Sequence, residues 1–132
     1  MARILLLEDD PHYREIIERL LLCSYPYPIM SVATETQACE ELAKGDFDLV
    51  LLDLYIEGRR CWETLKRAVG HPGKPVAIIF SCEDTQGNAD LAVSQGAFAF
   101  LSKPFNFVRF KKTIDSALQL RLRIESNAQE TP

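Results

Sequence analysis

Apolar runs that close on polar groups constrain this chain more than any other feature of its sequence. Ile4 to Leu7 runs into Glu8-Asp9, Phe47 to Leu52 into Asp53, and Val76 to Phe80 into Ser81. A strand with one wet face alternates apolar and polar residues. A strand covered on both faces of a parallel sheet instead reads as a nearly unbroken apolar run. Two weaker runs, Ile29 to Ala33 and Phe98 to Leu101, bring the set to five. Pro26 and Pro28 precede the second run and assign it to a sheet edge, where a missing N–H is tolerated.

Helical patterns fill the intervals. Asp10 is placed as an N-cap before Pro11, and Tyr13, Ile16, Ile17, Leu20 and Leu21 then recur at helical spacing as far as Cys23. Thr34 and Gln37 form a capping-box pattern, with Ala38, Leu42 and Ala43 as the apolar stripe and Gly45 at the end. A third helix carries Trp62, Leu65 and Val69 and stops at Gly70 and Pro72. A fourth opens from the polar stretch 81–88 and ends near Gly96, and the last spans Asn106 to Glu125. Parallel neighbours need crossover connections, so five strands alternating with five helices specify an α/β, doubly wound sheet.

The remaining composition bounds the functional classes. A chain of 132 residues, 47% of them apolar, has room for one domain, placed at 1–125 with 126–132 as a disordered tail. No apolar stretch approaches the roughly 18 residues of a membrane span, and a cytoplasmic protein is expected. The net charge is −4 and the basic residues are scattered apart from Arg59-Arg60, which argues against direct nucleic-acid binding. Cys23, Cys39, Cys61 and Cys82 contain no C-x-x-C pair and are expected to be reduced and mostly buried. His12 and His71 are expected at the surface, without a partner at metal-ligand spacing.

In an open α/β sheet, ligands bind beyond the carboxyl ends of the strands. That rule gathers Glu8 and Asp9, Asp53, Ser81 and Lys103 at one end of the molecule. Three carboxylates in one crevice raise one another's pKa and call for a cation. Mg²⁺ (or Mn²⁺) suits an all-oxygen set that leaves room for a phosphoryl oxygen. Asp53 could then act as a carboxylate nucleophile toward phosphorus, with Lys103 and the Ser81 hydroxyl supplying charge and a hydrogen bond. Taken singly, each group also reads as an ordinary solvated turn residue, and Asp10 reads better as a cap than as a ligand. The ordered set of five makes the case. An aspartyl-nucleophile phosphatase would want a second acid where Tyr55 stands. A flavin module would want a hydroxyl- and glycine-rich loop after the first strand, and a nucleotide hydrolase its glycine-lysine loop.

With these residues in view the chain resembles the receiver domains of response regulators, from Arg3 to about Leu118. Asp9 and Asp53, Asp53 and Ser81, and Ser81 and Lys103 lie 44, 28 and 22 positions apart, as in that family. The strings Ile4-Leu5-Leu6-Leu7-Glu8-Asp9-Asp10, Leu49-Val50-Leu51-Leu52-Asp53-Leu54 and Lys103-Pro104-Phe105 are similar to its best-known signatures. The resemblance implies a flavodoxin-like (βα)5 fold of strand order 2-1-3-4-5. It implies that Glu8, Asp9 and Asp53 hold Mg²⁺, that Asp53 accepts a phosphoryl group from a phosphohistidine donor, and that Ser81 and Lys103 sense it. It further implies a cis Lys103-Pro104 bond and a switch aromatic at Phe100, whose inward position would rest on packing alone. Such a module is a signalling domain rather than a turnover enzyme, and it catalyses only its own phosphoryl transfer and slow dephosphorylation. Its partners would be a histidine kinase or histidine phosphotransfer protein and a downstream effector. A homodimer through the fourth helix, fifth strand and last helix is a further implied partner. The alternative is a pseudo-receiver, a phosphorylation-independent interaction module.

Several positions depart from the family pattern. Ile56-Glu57 replaces the usual methionine-proline and Cys61 a usual glycine, so the loop after Asp53 is expected to differ in shape. Tyr55 is bulkier than the polar residue common there and is expected to shield an acyl phosphate from water. Cys82 stands where a smaller residue is usual and is expected to crowd the site. Leu118, Leu120, Leu122 and Ile124 are expected to overhang the sheet partly, as a docking surface or the start of a linker, because a helix from 106 to 125 would be about 30 Å long.

Overall fold

In the computed structural model, which describes residues 2–82 and 86–130, the chain forms a parallel sheet covered by helices on both faces. The strands are β1 (Ile4–Leu7), β2 (Ile29–Val32), β3 (Leu49–Asp53), β6 (Val76–Ser81) and β7 (Ala99–Ser102), with a separate pair β4 (Tyr55–Ile56) and β5 (Arg59–Arg60). The helices are α1 (Pro11–Ser24), α2 (Glu35–Lys44), α3 (Trp62–Val69), α4 (Gln86–Ser94) and α5 (Phe107–Glu130). The main sheet runs β2-β1-β3-β6-β7, all parallel, which is the expected 2-1-3-4-5 order once the small pair is set aside.

Successive side chains of a strand point to opposite faces, so each apolar run is divided between two cores. Leu5, Leu7, Val50, Leu52, Ala77, Ile79 and Phe100 face α2, α3 and α4, with Ala38, Leu42, Leu65, Ala68 and Ala92 packed against them. Ile4, Leu6, Leu49, Leu51, Ile78, Phe80 and Leu101 face α1 and α5, against Ile17, Leu21, Phe110, Ile114 and Ala117. Residues 4–7 of β1 are wholly buried, and each such side chain contributes roughly 1.5–3 kcal/mol relative to exposure.

Both expected N-cap side chains make their cap bonds. The Asp10 carboxylate accepts the His12 N–H, and the Thr34 hydroxyl accepts the Gln37 N–H. The Gln37 side chain reaches back to the Ala33 N–H rather than to that of Thr34. Helix α3 is capped from outside. Its N-cap, Cys61, makes no side-chain cap bond, and Glu35 from the first turn of α2 accepts the Thr64 N–H at 3.2 Å and the Thr64 hydroxyl at 2.6 Å. Thr64 is fully buried, so Glu35→Ala would strand a buried donor and a helix N–H together. A loss of about 2 kcal/mol in urea unfolding is expected, and an unchanged midpoint would show that water caps α3 equally well.

Four expectations need correction. Helix α5 continues to Glu130, so residues 126–130 are helical, and Thr131 and Pro132 lie outside the described residues. Composition suggested disorder, but the segment 126–130 contains no glycine or proline to stop a helix. The stripe on α5 mostly packs: Leu118, Leu120 and Ile124 rest on the core between the sheet and α1 and α5, and only Leu122 of the four is largely exposed. The Arg121 guanidinium fixes this stretch by donating to Asp48 at 2.9 Å, on a carboxylate that also accepts the Arg3 N–H. Of the cysteines only Cys61 is buried. Cys39 is half-buried, and Cys23 and Cys82 are exposed, because Cys23 lies two residues past the buried Leu21 and so turns to the outer face of α1. His71 is not a surface residue: Nδ1 accepts the Gly73 N–H and Nε2 donates to the Leu42 carbonyl, both at 2.9 Å, which ties the α3–β6 turn to α2.

Candidate functional site

The carboxyl ends of β1, β3, β6 and β7 meet at one edge of the sheet, and strand register sets what stands there. Leu7 pairs with Leu52 and Asp53 with Phe80, so Glu8, Asp53 and Ser81 arrive at nearly the same level. Ser81 pairs with Ser102, and its carbonyl accepts the Lys103 N–H at 2.8 Å, which delivers Lys103 beside them. The Lys103 ammonium lies 2.8 Å from Glu8 Oε2 and 3.0 Å from Asp53 Oδ2. Its side chain is 4% exposed, and those of Glu8 and Asp53 are 0% and 9% exposed. This is a desolvated ion triad rather than a surface salt bridge. The Lys103-Pro104 bond is cis, as expected.

The remaining oxygens are held from the main chain. Glu8 Oε1 accepts the Asp10 N–H at 3.0 Å, Asp53 Oδ1 accepts the Tyr55 N–H at 3.2 Å, and Asp9 Oδ2 accepts the Glu57 N–H at 3.1 Å. The Arg14 guanidinium donates to the Glu8 carbonyl at 3.0 Å. Carboxylate oxygens of Glu8, Asp9 and Asp53 all lie within 4.8 Å of one another. Burial pushes the Glu8 pKa up to about 7 against the opposing hydrogen bonds from Lys103 and Asp10. Burial acts to lower that of Lys103, but its hydrogen bonds to Glu8 and Asp53 prevail and hold the ammonium above the usual lysine range. Three hard carboxylate donors clustered at one edge of the sheet suit a small divalent cation of the Mg²⁺ type.

The loop after Asp53 forms a compact hairpin that was not read from the sequence. Tyr55-Ile56 and Arg59-Arg60 pair antiparallel as a hairpin closed by Glu57-Gly58, both at positive φ, 52° and 76°. That is the geometry of a tight two-residue hairpin turn, and Gly58 makes it affordable. The Leu54 carbonyl accepts the Cys61 N–H at 2.8 Å, so by ladder alternation the backbone edge of Tyr55 turns away from β5 toward Asp53. The hydroxyl of Tyr55 accepts from Arg60 Nε at 3.2 Å, and the guanidinium lies 5.5 Å from the ring centroid. Glycine after an acidic residue between two short apolar-and-basic pairs was the available signal.

Ser81 is buried at the end of β6, and Phe100 is buried at 9% exposure in the core facing α2, α3 and α4, pointing inward. Cys82, expected to crowd the site, is exposed. One contact was missed altogether: the Lys103 ammonium lies 4.2 Å from the ring centroid of Tyr13 and 5.2 Å from that of Phe80. Tyr13 reads from the sequence only as part of an apolar helical stripe.

The model of the "response regulator receiver domain" family matches residues 4–115. The chain is 31% identical over 133 residues to the response regulator protein PilR of Pseudomonas aeruginosa, covering 98% of this chain and 28% of that protein. The chain therefore spans under a third of that relative's length. Among solved structures it is similar to the signal receiver domain of a putative Luxo repressor protein from Vibrio parahaemolyticus, with a TM-score of 0.85, 24% identity and 96% of each chain covered. It is similar also to the beryllofluoride-activated NtrC4 receiver domain dimer, with a TM-score of 0.83, 22% identity, and 92% of this chain and 99% of that chain covered. Among the described residues no helix is long and apolar enough to cross a membrane. The match across most of its length makes this chain a member of the response regulator receiver domains, the phosphorylation-based signalling modules of two-component systems.

Proposed function

We propose that this chain takes a phosphoryl group from a phosphohistidine donor onto Asp53 in a Mg²⁺-dependent step, and that the change is read by a partner protein. The single observation that carries the reading is the Lys103 ammonium shared between Asp53 and Glu8, with a carboxylate oxygen of Asp9 within 4.8 Å of oxygens on both. Glu8, Asp9 and Asp53 would hold the cation, which when bound neutralises charge on the incoming phosphoryl oxygens. Asp53 supplies the attacking oxygen. Lys103 and the Ser81 hydroxyl would bind the transferred oxygens once they arrive. Their attraction to that group is the differential affinity a switch requires, and the buried Phe100 on β7 is the packing element it would bias. Mn²⁺ would serve in place of Mg²⁺.

The test is incubation with Mg²⁺ and acetyl phosphate followed by intact mass. One added phosphoryl group is expected with the cation and none with chelator. No gain under either condition would leave the pseudo-receiver reading. The partners proposed are a histidine kinase or phosphotransfer protein and a downstream effector. Leu91, Val93, Phe98, Phe107 and Val108 are exposed apolar residues on or beside α4, β7 and α5, and this is the face proposed for an effector or a second copy.

Tyr55 bears on how long the phosphoryl group survives. The Arg60 contacts steady its ring, which two residues past Asp53 would exclude attacking water. Tyr55→Asn is expected to shorten the phosphorylated lifetime by about tenfold, the equivalent of roughly 1.4 kcal/mol in barrier height. A decay rate equal to wild type would refute the shielding.

A further inference from the structure

The aromatic wall around Lys103 carries an inference beyond the carboxylate cluster, though it rests on the phosphoacceptor reading above. Lys103 has few conformational anchors of its own: a flexible stem, and an ammonium whose two anionic partners are also the groups that would take a divalent cation. When a cation occupies Glu8 and Asp53, the attraction fixing Lys103 weakens, and something else must keep the ammonium facing the phosphoryl position. The nearest candidate is the face of Tyr13, 4.2 Å from Nζ, with Phe80 behind it at 5.2 Å.

Tyr13 is itself immobilised. It sits in the first turn of α1, whose start is fixed by the Asp10 cap and Pro11, and its ring meets Phe105 edge-on at 6.3 Å and 86°. Phe105 in turn packs edge-on against Phe80 at 5.8 Å and leans on Phe110 at 5.3 Å. The wall therefore joins α1, β6 and α5 around the lysine. A ring face attracts an ammonium through its quadrupole, most strongly where water is excluded, and the Lys103 side chain is almost wholly buried.

We propose that Tyr13 is a positioning residue for phosphoryl transfer: its ring face holds the Lys103 ammonium over the phosphoacceptor while a divalent cation occupies the carboxylates. In the step it serves, an Asp53 carboxylate oxygen forms the bond to phosphorus and the P–O bond of acetyl phosphate breaks. The electron pair leaves with acetate, and Lys103 stays protonated throughout. Tyr13 takes no part in bond making.

The experiment replaces Tyr13 by phenylalanine and by mono-, di- and trifluorophenylalanine in the full chain. The phosphorylation rate is measured by intact mass with Mg²⁺ and acetyl phosphate. Phenylalanine is expected to retain the wild-type rate within twofold, and each added fluorine, which drains charge from the ring face with little change of shape, is expected to lower it stepwise to about one-tenth. A Tyr13→Leu variant should fall about as far, and in a Lys103→Met background the same change should cost nothing further. A purely structural Tyr13 would give a flat fluorine series, or an equal loss with and without Lys103. Either result overturns this role while the phosphoacceptor reading stands. A wild-type chain that gains no phosphoryl group overturns both.

Discussion

Asp53→Asn is expected to abolish phosphoryl uptake completely while leaving the chain folded. Asparagine keeps the shape of the side chain and an acceptor for the Tyr55 N–H at Oδ1. It lacks the negative charge that makes a carboxylate a nucleophile. Lys103 keeps its Glu8 partner at 2.8 Å, so the pocket loses one of two paired anions rather than its counter-ion. One like-charge contact with Glu8 also disappears. Melting temperature should therefore change little, in either direction. The check is intact mass after incubation with Mg²⁺ and acetyl phosphate, alongside a thermal melt. A mass gain that persists in the asparagine variant would move the acceptor to another side chain and remove the chemical role assigned to this cleft.

Lys103→Met should produce the largest stability change, and one that a divalent cation reverses. The wild-type ammonium neutralises two buried carboxylates. Removing one member of a buried ion cluster costs about 3–5 kcal/mol because the survivors are left unpaired in a poor dielectric. Part of that cost is relieved here, since Glu8, already pushed up to about 7 by burial, takes up a proton near neutral pH. The expected loss in chelator is thus nearer about 3 kcal/mol. In Mg²⁺ the cation stands in for the ammonium. The variant should gain more from it than wild type, in which cation and lysine share the same oxygens. Wild type should itself gain about 2.7 kcal/mol at a cation concentration a hundredfold above Kd. Urea titrations of both proteins with Mg²⁺ and with chelator read all four quantities. An equal loss in the two conditions would mean that Lys103 and the cation do not share a site.

The fold and the membership of the acidic cluster were legible because they depend on short-range patterning. The runs 4–7, 47–52 and 76–80 are too apolar for anything but strands covered on both faces, and the caps at Asp10 and Thr34 mark where two helices must begin. Once the strands are parallel, their carboxyl ends share an edge, and Glu8, Asp9, Asp53, Ser81 and Lys103 follow without further information. The helical end at Glu130 was misread because composition reports solubility, whereas a helix already seated by Arg121 on Asp48 continues until a residue breaks it.

Contacts between residues distant in the chain were settled only by tertiary structure. Nothing near Thr64 in sequence announces that Glu35 will cap its helix, because the partners are 29 positions apart and meet only when α2 packs beside α3. Tyr13 carries the same pattern signal whether it faces aliphatic core or a buried ammonium, and the choice depends on where β7 delivers Lys103. The amino-acid order thus determined which elements form and which of their ends coincide, through periodicity and capping. Three-dimensional packing decided which side chains hold the charged groups in place, because desolvation and ring-face attraction act through space rather than along the chain.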